Sequence, residues 1–151
     1  MKEQKSMKMK ADKKTILYVD DDADDRELLT DAIAHADPGV NVVLTENGAE
    51  ALTYLGAIKS SGDNYPGVII LDLNMPYMDG KTTFEKLRSD KDMKDIPVVV
   101  LTSSEKQADK TLFTGMGVVF HTKPTTLTGL GQIVDQVIGV CRNSSAAGAE
   151  A

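Results

Sequence analysis

The sequence predicts an α/β fold, a five-stranded doubly wound parallel sheet, and three observations carry that prediction. Five short runs rich in β-branched and aliphatic residues recur, at 16–19, 40–45, 68–71, 98–101 and 118–122. Segments with apolar residues at helical spacing separate them, and such alternation gives parallel strands with right-handed crossovers. The central run, Val68-Ile69-Ile70-Leu71, has no polar alternation, the mark of a strand covered on both faces. It stops at Asp72, followed by Leu73-Asn74-Met75-Pro76. A carboxylate therefore stands at a strand's C-terminal end, the edge where open parallel sheets bind ligands, and Asp72 is a candidate nucleophile or metal ligand.

The elements follow in order. Residues 1–14 carry six lysines against Glu3 and Asp12 and read as a solvated, disordered arm. From Thr15 the chain turns apolar as Ile16-Leu17-Tyr18-Val19, then ends in Asp20-Asp21-Asp22, a first buried strand that delivers carboxylates to the edge of Asp72. Residues 23–36 place Leu28, Leu29, Ala32, Ile33 and Ala36 at helical spacing. Asp22 is their N-cap, and Asp24, Asp25 and Glu27 lie near the positive pole. Pro38-Gly39 ends that helix, and 40–45 form the second strand. Asn47-Gly48 opens a second helix with Ala51, Leu52, Leu55 and Ile58 inward, and 60–66 form a polar loop. After a loop over 74–80, residues 81–88 make a short helix resting on Phe84 and Leu87, with Lys81 and Thr83 weakening its packing. Pro97 introduces the fourth strand, which ends at Thr102-Ser103-Ser104. A helix over 104–116 follows, anchored by Ala108, Leu112 and Phe113. The fifth strand ends at Lys123-Pro124. Leu127, Leu130, Ile133, Val134, Val137, Ile138 and Cys141 then form a last amphipathic helix, and 142–151 read as a disordered tail.

Bulk composition narrows the function. With 151 residues, 41% hydrophobic and 26% charged, the chain suits one soluble domain, spanning 15–141, with an adequate core. No apolar run approaches a membrane span and no h-region follows the leading lysines, so the expected setting is cytoplasmic. The net charge of −6 includes the basic leader, so everything after Lys14 sums to −10. Such an acidic body argues against nucleic acid as the ligand. The single Cys141 reads as a small buried hydrophobe.

Asp20, Asp21, Asp72, Thr102 and Lys123 each stand just beyond a predicted strand end, so a parallel sheet brings them to one edge. Three adjacent carboxylates repel one another unless cations help. Mg²⁺ meets that need, since it takes one or two carboxylates, waters and a phosphoryl oxygen. Three aspartates, Mg²⁺ and Lys123 balance formally to zero, leaving a site poised for an anionic phosphoryl group that Thr102 can hydrogen-bond.

At these positions the chain resembles the response-regulator receiver family. The marks are Val19-Asp20-Asp21, Leu71-Asp72-Leu73-Asn74-Met75-Pro76 with Asp79-Gly80, Leu101-Thr102-Ser103, and Lys123-Pro124, in order on the right elements. The resemblance implies a flavodoxin-like strand order 2-1-3-4-5. It implies that Asp72 takes a phosphoryl group from the phosphohistidine of a sensor histidine kinase or histidine phosphotransfer protein in a phosphorelay. It further implies that Asp21, Asp72 and the Asn74 carbonyl bind Mg²⁺ with Asp20 helping through water, and that Lys123 contacts the phosphoryl group, held by a cis bond to Pro124. The family's switch has an aromatic three residues before the lysine, here Phe120, where most relatives have Tyr. Ser103 replaces a commoner Ala. The face of the fourth helix, fifth strand and fifth helix is the expected switching surface and the expected site of a homodimer. Ten residues after Cys141 are too few for an output domain, so the expectation is a receiver standing alone that acts through protein contacts and is not an enzyme beyond its own phosphorylation and dephosphorylation. Asp24-Asp25-Arg26 and Asp95-Ile96-Pro97 add a narrower resemblance to lone receivers that accompany hybrid or phytochrome-type kinases.

Competing signals are weaker. Gly80-Lys81-Thr82 looks like the end of a P-loop, but Met75 stands where that motif needs Gly. His35 and His121 lack a Cys or His cluster that would make them zinc ligands. A Mg²⁺-dependent phosphatase resembling the haloacid-dehalogenase group is the alternative, since it also uses Asp, Thr or Ser, and Lys at strand ends. That group wants its nucleophile after the first strand and a second Asp two residues on, where this chain has Asn74.

Overall fold

A computed structural model describes residues 11–144. Strands and helices alternate as β1 (Ala11–Val19), α1 (Ala23–Ala36), β2 (Asn41–Thr45), α2 (Gly48–Ser61), β3 (Tyr65–Leu71), α3 (Gly80–Ser89), β4 (Val98–Thr102), α4 (Gln107–Gly115), β5 (Val119–Thr122) and α5 (Leu127–Arg142). All strand pairs are parallel, in the order β2-β1-β3-β4-β5. The predicted doubly wound sheet is thus present with the predicted order.

Strand alternation divides the core in two. Leu17, Val19, Ile69, Leu71, Val98 and Val100 face α2, α3 and α4, where Leu55, Phe84, Leu87 and Phe113 complete one cluster. Ile16, Tyr18, Val68, Ile70, Val99 and Leu101 face α1 and α5, against Leu29, Ile33, Val134 and Val137. Every residue of β3 is buried, as its unbroken apolar run requires.

Caps fix the helix starts. Asp22 Oδ1 accepts the Asp25 N–H at 2.9 Å, as the sequence predicts, and Asn47 Oδ1 accepts the Glu50 N–H at 2.9 Å. Asp79 Oδ1 does the same for Thr82 at 2.8 Å, starting α3. Gly80 is required there, since a Cβ on it would sit 2.2 Å from the Asp72 carbonyl oxygen. Gly48 lets α2 approach α3 in the same way, its missing Cβ leaving room for Thr83 Oγ1.

Several expectations need correction. β1 begins at Ala11, so residues 11–14 of the expected arm are strand, paired beside Tyr65 and Pro66 before a register shift. That shift is stabilised by Asp12, whose carboxylate accepts from the Lys14 N–H and the Thr15 hydroxyl. β3 likewise starts at Tyr65, inside the expected loop. α5 runs through Arg142 and Ser144 is buried, so these belong to the body and not to the tail. Residues 1–10 and 145–151 lie outside the described residues. Leu28, Ala36, Ala108 and Leu112 are exposed, not inward as expected, because α1 and α4 bury only narrow stripes centred on Leu29, Ile33 and Phe113; Leu127 is exposed because it is the first residue of α5, whose buried face begins at Leu130. Thr83, expected to weaken α3, is fully buried, its hydroxyl donating to the Asp79 carbonyl at 2.8 Å. Its small size is what permits the close contact with α2.

Candidate functional site

Strand order reverses between β1 and β3, and the carboxylates following these two strands meet there. Asp20, Asp21 and Asp72 each bring one oxygen within 4.8 Å of the others. The Asp72 N–H donates to the Val19 carbonyl at 3.0 Å, continuing the β1–β3 ladder one step beyond the strand and locking the two acidic ends together.

The three differ in surroundings. Asp20 is completely buried: Oδ2 accepts the Tyr18 hydroxyl at 2.6 Å and the Lys123 ammonium at 2.8 Å, and Oδ1 accepts the Asp22 N–H at 2.9 Å. Asp72 is 3% exposed, with Oδ1 accepting the Leu73 N–H at 2.8 Å. Asp21 is exposed at the mouth. It shares a cleft of about 420 Å³ with Asn74, Met75, Pro76, Asp79, Lys81, Lys106 and Asp109. Asn74 thus stands on the acidic side of the mouth. An all-oxygen donor set with one open side suits a hard divalent cation.

Lys123 is placed by backbone pairing. β5 lies beside β4 with Thr102 opposite Thr122, and the Lys123 N–H donates to the Thr102 carbonyl at 2.8 Å. Its ammonium lies 2.7 Å from Asp25 Oδ2, 2.8 Å from Asp20 Oδ2 and 3.7 Å from Asp72 Oδ2. The Lys123–Pro124 bond is trans, correcting the expected cis bond; the described residues hold no cis peptide. The ladder bond to Thr102 already aligns the strand end.

Charge and burial oppose each other here. Burial raises the Asp72 pKa; the Lys123 charge and the Thr102 hydroxyl pull it back, Asp20 pushes it up again, and the net direction is upward. For Lys123, burial alone lowers the pKa, but hydrogen bonds to Asp20 and Asp25 outweigh it and the ammonium is held firmly protonated. The buried Tyr18 phenol is pushed far above its usual range by burial and by its bond to Asp20.

Thr102 is fully buried and its Oγ1 accepts the Ser104 N–H at 3.1 Å. Ser104 Oγ in turn donates to Asp109 Oδ2 at 2.8 Å, and the Lys81 ammonium lies 2.7 Å from Asp109 Oδ1. This relay joins the end of β4 to the starts of α3 and α4. Ser103 points into solvent. Phe120 is half-buried, its ring 6.2 Å from Phe113, which meets Phe84 edge-on at 5.2 Å. The loop after Asp72 turns tightly at Tyr77, whose φ of 66° is left-handed and whose side chain is 93% exposed.

The sequence-predicted residues Asp20, Asp21, Asp72 and Lys123 therefore converge, with Thr102 beside them. Sequence reasoning missed Tyr18, Asp25 and the Lys81–Asp109 pair. Tyr18 carried a signal, since residues two apart on a strand share a face and it precedes Asp20 by two. Asp25 carried none, because an acidic residue in a first helical turn is already explained by the helix dipole.

A model of the response regulator receiver domain matches residues 16–135. The chain belongs to the response regulator receiver family. As a receiver it is a phosphoacceptor in two-component signalling, where receivers take phosphoryl groups from histidine kinases. It is 32% identical over 99 residues to response regulator Rcp1 of Synechocystis sp., covering 64% of this chain and 66% of Rcp1. It is 35% identical over 98 residues to a protein-glutamate methylesterase/protein-glutamine glutaminase of Rhodopseudomonas palustris, 65% of this chain but only 24% of that protein. The chain thus spans just under two thirds of the first relative and a small part of the second. Among solved structures, the phosphorylated cyanobacterial phytochrome response regulator RcpA superposes with a TM-score of 0.75 at 32% identity, covering 87% of this chain and 96% of RcpA. The Mn²⁺-bound form of Rcp1 gives 0.71 at 28%, covering 82% and 91%. The phosphatase alternative finds no support in this family. The acidic cluster and the manganese-bound relative point to divalent metal binding.

Proposed function

We propose that Asp72 is the residue phosphorylated, by a sensor histidine kinase or a histidine phosphotransfer protein, and that Mg²⁺ is the ion held beside it. The observation that carries this reading is the meeting of three carboxylates with the Lys123 ammonium at one sheet edge. Asp21, Asp72 and the Asn74 backbone carbonyl are the proposed ligands, with Asp20 helping through water. When bound, the ion neutralises charge on the phosphoryl oxygens, the chief requirement of phosphoryl transfer.

The chain's own residues do the rest. An ionised Asp72 oxygen forms the new bond to phosphorus while the P–N bond breaks and its electron pair stays on the imidazole. Lys123 donates a hydrogen bond to a phosphoryl oxygen. Thr102 turns its hydroxyl from Ser104 toward the same group, Phe120 follows inward, and Ser103 flanks the mouth. The face of α4, β5 and α5 then changes shape and binds a downstream protein or a second copy of the chain. On this reading the chain works in the cytoplasm, binds neither nucleic acid nor membrane, and has no enzymatic activity beyond its own phosphorylation and dephosphorylation.

Incubation with a phosphorylated histidine kinase and Mg²⁺ labels the wild type at an acyl phosphate, and Asp72→Asn abolishes that label. Persistent labelling of the variant refutes the assignment. Sedimentation that stays monomeric with and without a phosphoryl analogue removes the dimer.

A further inference from the structure

Building on the assignment of Asp72 as acceptor, we propose that Asp25 is a positioning residue for phosphoryl transfer, holding the Lys123 ammonium with one N–H free for the incoming group. Asp25 and Lys123 are 98 residues apart, yet Nζ lies 2.7 Å from Asp25 Oδ2. An ammonium has three donors. Two are engaged, by Asp25 at 2.7 Å and Asp20 at 2.8 Å, and Asp72 lies 3.7 Å away, too far for a strong bond. One donor therefore remains for an oxygen arriving on Asp72.

Asp20 cannot hold Lys123 by itself. Its carboxylate also takes the Tyr18 hydroxyl and the Asp22 N–H, and it belongs to the cluster that a cation would draw on. Asp25 is the anchor outside that cluster. A lysine stem loses much rotamer freedom when its head must stay in one place, and a fixed partner makes that loss before the donor arrives. The Asp25 side chain is not needed for the helix start, because it is the backbone N–H of Asp25 that bonds the Asp22 cap. Asp24, one residue earlier and exposed, carries the same charge in the same turn and is the matched control.

The test uses phosphoramidate with Mg²⁺, so that no kinase surface is involved; the P–N bond breaks, the Asp72 O–P bond forms and ammonia leaves with the proton. The maximal labelling rate of Asp25→Asn falls about tenfold, while half-saturation by donor and by Mg²⁺ stays at the wild-type value. Asp25→Glu recovers most of the rate and Asp24→Asn behaves as wild type. In a Lys123→Met background, Asp25→Asn has no further effect, the signature of two residues acting through one contact. The ammonium ¹H–¹⁵N signal of Lys123, protected from exchange in the wild type, broadens in Asp25→Asn.

A wild-type rate in Asp25→Asn, a change confined to half-saturation, or an undiminished loss in the Lys123→Met background overturns the proposal while leaving Asp72 as acceptor. A wild-type chain that takes no label overturns both.

Discussion

Asp72 sits in a place that suits its anion poorly, because burial strips the carboxylate of water. Its folded pKa is raised, chiefly by burial, against an unfolded value of about 3.9. The native state therefore holds this proton to higher pH than the unfolded state does, and stability falls as pH rises from the unfolded value through the folded one. Asp72→Asn removes that penalty. With metal chelated, the variant melts above the wild type at neutral pH, and the gap closes as pH falls below about 4; thermal unfolding across that range checks it. A variant less stable at pH 7 means that the pairing with Lys123 outweighs burial. Cys141 is a contrasting case: burial pushes its thiol up to about 11 and leaves it a packed, unreactive group beneath β1.

At the scale of elements, α3 is the piece whose seat decides the geometry of the loop after Asp72. Its first turn rests on the carbonyl of Asp72, and the Gly80 N–H donates to the Leu73 carbonyl at 2.9 Å. Gly80→Ala puts a Cβ 2.2 Å from the Asp72 carbonyl oxygen and 2.7 Å from Leu73 Cα, both backbone atoms that cannot swing aside. The cost is about 2–4 kcal/mol, with phosphoryl uptake impaired as well. Gly56, inside α2, has nothing within 4 Å of such a Cβ. Gly56→Ala is therefore stabilising by up to about 1 kcal/mol, from helix propensity alone. Urea denaturation of the two variants side by side tests the contrast. α4 is seated differently, by Asp109 between Ser104 and Lys81, so it is tied to the end of β4 through polar contacts and a single deep anchor, Phe113. On the proposed switch, an element held this way is the one free to shift if Thr102 changes partners.

For the molecule as a whole, the site joins strand ends that the helices hold apart in sequence. Three like charges at one edge oppose folding, and a bound divalent cation reverses the sign of that contribution. With Mg²⁺ as the proposed ion, a hundredfold excess over its Kd is expected to stabilise the wild type by about 2.7 kcal/mol, by mass action on the folded state alone. Asp21→Asn, which removes the exposed member of the cluster, loses most of that gain without destabilising the metal-free protein. Melting curves with Mg²⁺ and with a chelator measure it. Among the described residues no helix is long and apolar enough to cross a membrane. The apolar face of α5 packs on the sheet through Leu130, Val134, Val137 and Cys141.

Apolar runs and helical spacing were enough to place five strands and five helices and to name the side chains at their common edge. Strand cores announce themselves as apolar runs, and the residue after each run is fixed by counting. That sufficed for Asp20, Asp21, Asp72, Thr102 and Lys123. Counting cannot reach how far β1 extends, which leucines of α1, α4 and α5 stay exposed, or which polar groups pair across long separations; these follow only from how the elements pack. Periodicity gives the direction of a helix face but not where its neighbour ends, so Leu28, Leu112 and Leu127 looked like core. A carboxylate in a first turn looks the same whether it faces water or an ammonium, so Asp25 became legible only when β5 brought Lys123 to it.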